Sequence, residues 1–282
     1  MPEEVGLKYE IVYYPFMGTQ VNTERLLLMA RLCYRPIGAA RMKQMVWGDA
    51  EGPAESRIDD EAVGKFVRGL ISSGHMGALE HWYTSFAVEG YSRVSSQQND
   101  RHRLMKMFKS PDLPDDVACG WINDPEQGSA DVSQLQQSQR YVKEGNFRYV
   151  TPPSFESSPE FLARFRSLQQ EIQELQAFGL NEAGLPAEDV RFGLSNATET
   201  RFVITTNARQ LRHMFNLRCC SRAQWEIRNL FTALLEDYKR IAPNIFWRAG
   251  ASCDDLGYCP EGSASCGRAP TIAQLRRDAG LE

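Results

Sequence analysis

No apolar stretch in this 282-residue chain approaches the ~18 residues that a membrane span needs. The N-terminus, Met1-Pro2-Glu3-Glu4-Val5, is acidic and lacks the apolar core of a signal peptide. A soluble, cytoplasmic protein with no membrane partner is therefore expected. The chain contains no G-x-G-x-x-G and no P-loop, so a dinucleotide would have to be held by side chains and not by a glycine turn. It has no H-E-x-x-H and no Cys-x-x-Cys, the common zinc signatures. No nucleophile-elbow motif occurs, which leaves a serine triad without support. The seven cysteines are an odd number and Cys219-Cys220 are adjacent, which speaks against a disulfide framework. Positive charge is not in excess either. A net charge of -4 argues against bulk nucleic-acid binding, so any cluster of arginines is a local feature.

Histidine is scarce as well, and its placement is informative. The four residues are His75, His81, His102 and His213. His102 lies inside Arg101-His102-Arg103, two guanidiniums flanking an imidazole, which makes a dense, forked array of donors for planar anions. That triplet closes a polar run from Glu89 to Asp100 that reads as helix. Taken alone it fits a solvated basic helix end as well as an anion site. His75 lies just before Glu80-His81. His213 sits in Asn207-Ala208-Arg209-Gln210-Leu211-Arg212-His213-Met214-Phe215-Asn216-Leu217-Arg218. Placing every imidazole beside Arg, Asn, Gln or Glu points to an assembled polar pocket. The six-residue gap from His75 to His81 suits one helix face poorly, so a metal site is not expected.

The periodicity gives an α/β (α+β) reading. Lys8 to Tyr14 alternates as a strand. Asn22 or Thr23 caps a helix running to about Cys33. Gly38 to Ser56, rich in Gly, Ala and Met, is expected to be a loop. A helix from Asp59-Asp60-Glu61 carries Val63, Phe66, Val67 and Leu70 on one face and stops at Gly74. Trp82 to Val88 is a strand. Pro159 to Phe178 is a helix with Phe161, Leu162, Phe165, Leu168, Ile172 and Leu175 on one side. Glu199 to Thr205 is a strand. Arg222 to Ile241 is the strongest helix, its stripe of Ile227, Leu230, Phe231, Leu234, Tyr238 and Ile241 belonging to core or subunit interface. Met105 to Val132, rich in proline and acidic residues, reads as an inserted loop.

After that insertion comes a second polar segment, Ser133-Gln134-Leu135-Gln136-Gln137-Ser138-Gln139-Arg140-Tyr141. Ser138 and Arg140 offer a hydroxyl and a guanidinium suited to a phosphate monoester. The glutamine amides suit an imide edge such as uracil. Nucleotide recognition and a polar surface helix both fit.

Together these segments resemble the flavin-dependent thymidylate synthases over roughly residues 8 to 250, in the family's order. The family's hallmark is Arg-His-Arg, seven residues, then Ser and an Arg-Tyr pair. Arg101-His102-Arg103 and Ser138-Gln139-Arg140-Tyr141 match its two halves. His75 with Glu80-His81, Asn207-x-Arg209, Asn216-Leu217-Arg218 and Ala223-Gln224-Trp225-Glu226-Ile227 are similar to the family too. The resemblance implies a mixed sheet with surrounding helices and a homotetramer with FAD between subunits. It also implies dUMP as substrate, methylenetetrahydrofolate as carbon donor and NADPH as reductant. It places His75, Glu80, Arg101, His102, Arg103, Asn207, Arg209, His213 and Leu217 at the flavin. Gln98, Gln136, Ser138, Arg140, Arg191 and Arg218 fall at the nucleotide, with Arg140 and Arg191 on the phosphate. Arg218 is expected to be catalytic, polarising a uracil carbonyl as charge develops.

The chain departs from the family's pattern in two places. Thirty-four residues, not seven, separate Arg103 from Ser138, and Leu135-Gln136 stands where many members carry Asn-Glu. A glutamine can pair with uracil or ribose but cannot act as a base. The expected division is a synthase-like domain over 1–252, with its insertion at about 105–132, and a cysteine-containing tail over 253–282. In that tail Cys253, Cys259 and Cys266 have irregular spacing for zinc and no fourth partner, so a flexible tail is expected. Two rival readings remain: a flavoenzyme of the same scaffold acting on another pyrimidine nucleotide, and a non-catalytic nucleotide-binding homologue.

Overall fold

The computed structural model describes residues 2–19, 21–47, 58–99, 106–108, 120–122, 132–141 and 146–281. In chain order the strands are β1 (Glu3–Glu4), β2 (Lys8–Tyr13), β3 (Tyr83–Ser92), β4 (Lys106–Phe108), β5 (Gly120–Ile122), β6 (Val132–Gln136), β7 (Arg148–Tyr149) and β8 (Glu199–Asn207). The helices are α1 (Ala39–Trp47), α2 (Asp60–Ser72), α3 (Arg93–Asn99), α4 (Pro159–Asn181), α5 (Ala187–Val190), α6 (Ala208–Arg218), α7 (Trp225–Ile241), α8 (Ser252–Leu256) and α9 (Ile272–Asp278). Strands β2, β3, β8 and β6 form a four-stranded sheet in that order. β1 pairs in parallel with β7, and β4 pairs antiparallel with β5. The mixed α/β class read from the sequence is the class observed. No helix among the described residues is long and apolar enough to cross a membrane.

The contacts divide the chain into two compact units. The first comprises Met1–Val12, Ser85–Arg101 and Gln134–Ile204; the second comprises Tyr13–Thr84, His102–Ser133 and Thr205–Glu282. The core of the first is built from Phe86, Val88, Tyr91, Phe147, Phe202 and Ile204, with Tyr91 edge-on to Phe202 at 5.3 Å. Gly90 is required there. Its φ is +69°, and a Cβ would lie 1.8 Å from the Gly6 carbonyl oxygen. Buried Glu199 accepts a hydrogen bond from the Gly90 N–H at 2.7 Å and pairs with Arg148 and Arg201, both at 3.4 Å.

The core of the second unit gathers Leu27, Val67, Leu79, Trp82, Leu211, Phe215, Ile227, Phe231, Tyr238 and Phe246. The expected α7 stripe is core: Ile227, Leu230, Phe231, Leu234 and Tyr238 are all fully buried. Trp82 meets Tyr238 and Phe246 edge-on at 6.1 and 5.8 Å. Buried Glu24 accepts from the N–H groups of Asn244 and Ile245 at 2.6 and 3.0 Å, so its charge is compensated by donors. The expected caps are present. Asn22 Oδ1 accepts from Glu24 N at 2.9 Å, and Asp59 Oδ1 from Ala62 N at 2.6 Å.

The structure corrects or refines five sequence readings. Gly38 to Ser56 is not all loop, because Ala39–Trp47 is α1; its alanines, methionines and lysine are good helix formers. The segment Thr23–Cys33 is helical but wound as a 3-10 helix. The polar run after Val88 does not turn helical at Glu89. β3 runs on to Ser92, and α3 begins where Arg93 N donates to Thr198 O at 2.9 Å. The segment Val132–Gln136 is strand β6, not a polar helix. The tail expected to be flexible folds, from Ser252 on, into short helices that are tied down, with Arg212 pairing to Asp255 at 2.9 Å and Ser252 donating to Asn216 O at 3.2 Å.

α4 has the expected apolar side, and the described residues cover it only in part, with Phe165 edge-on to Tyr149 and Phe155 at 5.8 and 5.0 Å. Phe161, Leu168, Leu175 and Phe178 are each about half exposed. The face turned inward is polar instead. Gln169 accepts from Ser195 Oγ at 2.8 Å, and Gln176 donates to Val190 O at 2.9 Å.

Candidate active site

In the second unit the expected flavin residues come from two elements. α6 is launched by Asn207, which ends β8, is buried, and caps the helix by accepting from Gln210 N at 2.9 Å. The 3-10 turn Met76–His81 packs beside it, anchored where Ala208 N donates to Trp82 O at 2.8 Å. Glu80 on that turn pairs with Arg209 in the first turn of α6. His75 precedes the turn and stands edge-on to Tyr34 with ring centres 5.7 Å apart. Both rings line a cavity of about 480 Å³ that also takes in His81 and the apolar side chains of Leu32, Met42 and Leu70.

Further along α6, burial and then the Arg218 guanidinium push the His213 imidazole below its usual pKa. Neutral imidazole is therefore the favoured form near pH 7, so His213 can both donate and accept. Leu217 is about half exposed, and Arg218 closes the helix. Burial pushes the Cys219 thiol up to about 11, so it offers no thiolate nucleophile at neutral pH. Among the described residues, the side-chain amide of Gln210 is buried with neither its nitrogen nor its oxygen hydrogen-bonded. Such an orphaned amide is costly. Sequence reasoning passed over it because a glutamine inside a helix has no signature.

In the first unit the expected nucleotide residues lie on α3, the end of β6 and the segment around α5. Gln136 ends β6. Its Nε2 donates to Thr200 Oγ1 at 2.8 Å and to Ser96 Oγ at 3.1 Å. The group left for an imide N–H is therefore its carbonyl oxygen. Gln98 is on α3. Ser138 lies in the turn after β6, its hydroxyl accepting from Arg140 N at 3.2 Å. Arg140 pairs with Glu188 at 2.9 Å, and Arg191 donates through Nε to the Glu188 carbonyl at 3.0 Å. One residue of α5 thus positions both arginines expected at the phosphate, and sequence reasoning did not single it out. On the sheet, β2, β3, β8 and β6 frame an open groove of about 800 Å³ with Gln136, Glu89 and Arg201 on its walls. Arg101, His102 and Arg103 lie outside the described residues.

Comparison with known proteins gives a consistent result. The family model of thymidylate synthase complementing protein matches residues 18–244. The chain is 33% identical over 287 residues to the flavin-dependent thymidylate synthase of Clostridium tetani, spanning 96% of this chain and 97% of that protein. It is 36% identical over 253 residues to the corresponding protein of Geobacter sulfurreducens, spanning 89% of this chain and 91% of the relative. With the one from Nitratidesulfovibrio vulgaris the identity is 36% over 222 residues, or 76% and 79% of the two chains.

Proposed function

The chain belongs to the flavin-dependent thymidylate synthase family, and on that premise we propose that it methylates dUMP reductively to dTMP. FAD is the proposed flavin, methylenetetrahydrofolate the carbon donor and NADPH the reductant. The observation that carries the reading is the pairing of Glu80 with Arg209. It joins two segments that the family resemblance assigns to the flavin, from residues far apart in the sequence. The donor set suits that group. Arg209 supplies a guanidinium for an anionic oxygen, His213 a neutral imidazole, and Gln210 a buried amide in need of partners. When bound, the flavin supplies the redox chemistry, while the protein supplies position and charge.

The protein's part is orientation and charge. Arg140 and Arg191 hold the phosphate, both steadied from Glu188. Gln136 presents its carbonyl to the uracil imide, fixed in that orientation by two hydroxyls. Ser138 and Gln98 complete the nucleotide contacts. Arg218 is the catalytic residue, placing a forked cation where negative charge grows on the pyrimidine ring. Arg101, His102 and Arg103 are assigned to the flavin by the family's motif. The exposed apolar side of α4 supports assembly into a homotetramer, since such a patch on a helix is normally covered by a partner.

Purified protein should be yellow and should release tritium from position 5 of labelled dUMP when methylenetetrahydrofolate and NADPH are supplied. Yellow protein that releases no tritium would point to a different pyrimidine nucleotide. Colourless protein that still binds dUMP would leave only a non-catalytic homologue.

A further inference from the structure

Ser252–Leu281 lies beyond the region matched by the family model, and its folding needs an explanation. In this stretch of 30 residues Cys259 is the one buried side chain. Yet the segment is organised. It contains α8, a 3-10 turn at Gly262–Ala264 and α9, and the chain folds back so that Cys259 N donates to Pro270 O at 2.7 Å. Apolar burial contributes little to so small a piece; polar ties such as Arg212–Asp255 and Arg222–Glu261 hold it in part, and segments with so little core are commonly stapled by a metal or by disulfides as well.

The staple's parts are on one cavity. Cys220, from the turn after α6, and Cys253, Cys259 and Cys266 all line a single space of about 20 Å³, enough for one water-sized guest. All four are thiols. The irregular gaps of five and six residues along the tail are no obstacle, because the fourth partner comes from a distant turn. Cys219 does not line the cavity, so the adjacent pair is split between two roles. Arg222 and Arg268 line the same cavity. The Ser221 hydroxyl and the Arg268 backbone N–H direct hydrogen bonds at the Cys266 sulfur, and the Arg268 side chain bonds Cys253. Such donors around sulfur are what a cluster of thiolates needs, because four thiolates around a divalent ion leave a net charge of -2.

We propose that Cys220, Cys253, Cys259 and Cys266 form a structural site for one zinc ion, which clasps the C-terminal segment onto the turn that follows α6. Four soft sulfur ligands on a closed site suit tetrahedral zinc. Among the described residues no three His, Cys, Asp or Glu side chains are already gathered at metal-binding distance, so the four sulfurs must come closer together on ligation. Binding releases the thiol protons as the Zn–S bonds form, with no change of oxidation state. The clasp also reaches the enzyme's working helix, since α8 is tied to α6 through Arg212 and Asp255 at 2.9 Å.

The test uses the full-length protein. Elemental analysis of protein purified from zinc-supplemented cells should find close to one zinc per chain. Titration with a mercurial in the presence of a chromogenic chelator should release that zinc as thiols are consumed, an assay that needs no variant to fold. C220S, C253S, C259S and C266S should each lose the metal, while C33S and C219S retain it. Cobalt in place of zinc should give thiolate charge-transfer bands. Metal-free protein would overturn the proposal, whether its thiols are free or its intact mass shows disulfides among the four cysteines. So would iron in place of zinc, or zinc that survives all four substitutions. None of these readouts depends on flavin or on thymidylate synthesis.

Discussion

Glu80 and Arg209 are ion-paired although 129 positions separate them in the chain. The pair fixes the Met76–His81 turn against the start of α6, and it aims a guanidinium that would otherwise sample many rotamers. Glu80→Gln keeps the shape and removes the charge. Flavin affinity should fall roughly two- to fivefold, the worth of a partly exposed ion pair. Fluorescence titration of the apoprotein with FAD measures it. An unchanged Kd would mean that the pair is structural only.

Arg218→Lys keeps the charge at the end of α6 but loses the planar fork. Turnover should drop on the order of 10²-fold, the typical cost of removing one donor to developing charge. Steady-state and single-turnover kinetics with dUMP separate the effects. Weaker dUMP binding at unchanged kcat would reassign Arg218 to holding the ground state.

Thr200→Val removes one of the two hydroxyls that fix the Gln136 amide. With one bond of about 0.5–1.5 kcal/mol gone, KM for dUMP should rise roughly two- to tenfold with kcat little changed. Thr200→Ser, which restores the hydroxyl, should recover most of the loss.

His213 gives a pH signature. Burial first, and Arg218 second, hold its pKa in the folded protein below the ordinary value. The unfolded chain therefore takes up a proton first as pH falls through about 6.5. The stability that neutral His213 contributes is complete above that pH and is lost progressively below it, down to the folded pKa. Urea unfolding midpoints at about pH 7.5 and about pH 5.5 should differ less in His213→Asn than in the parent chain. Equal differences would show that His213 carries no such linkage.

The insertion should be removable, but only up to Asp131. β6 starts at Val132, so a deletion reaching Ser133 would cut into the sheet beside β8. Replacing residues 105–131 with a short linker shortens the closed loop at a gain of only roughly 1.4 kcal/mol. We expect a folded, flavin-binding protein whose constants for folate or NADPH change more than its dUMP affinity. Loss of folding, or no kinetic change at all, would overturn that expectation.

The sequence alone determined what depends on local pattern. The α2 and α7 stripes, the Asn22 and Asp59 caps and the β8 strand are written in apolar period and in side chains that bond to the next turn of their own backbone. The family was legible in the same way, because Arg101-His102-Arg103, Asn207-x-Arg209 and Ser138-x-Arg140 are short motifs in a fixed order. What the tertiary structure alone decided depends on neighbours. The polar segment at Val132–Gln136 is a strand because β8 offers it backbone partners, which outweighs its own composition. Gly90 is needed because Gly6 approaches its backbone closely. Glu188 matters because two arginines happen to reach it, and Cys220 becomes a fourth thiol only when the tail folds back beside the end of α6. Local preferences amount to tenths of a kcal/mol per residue. Burial and pairing between distant segments are larger, and their energies are not encoded at any single position.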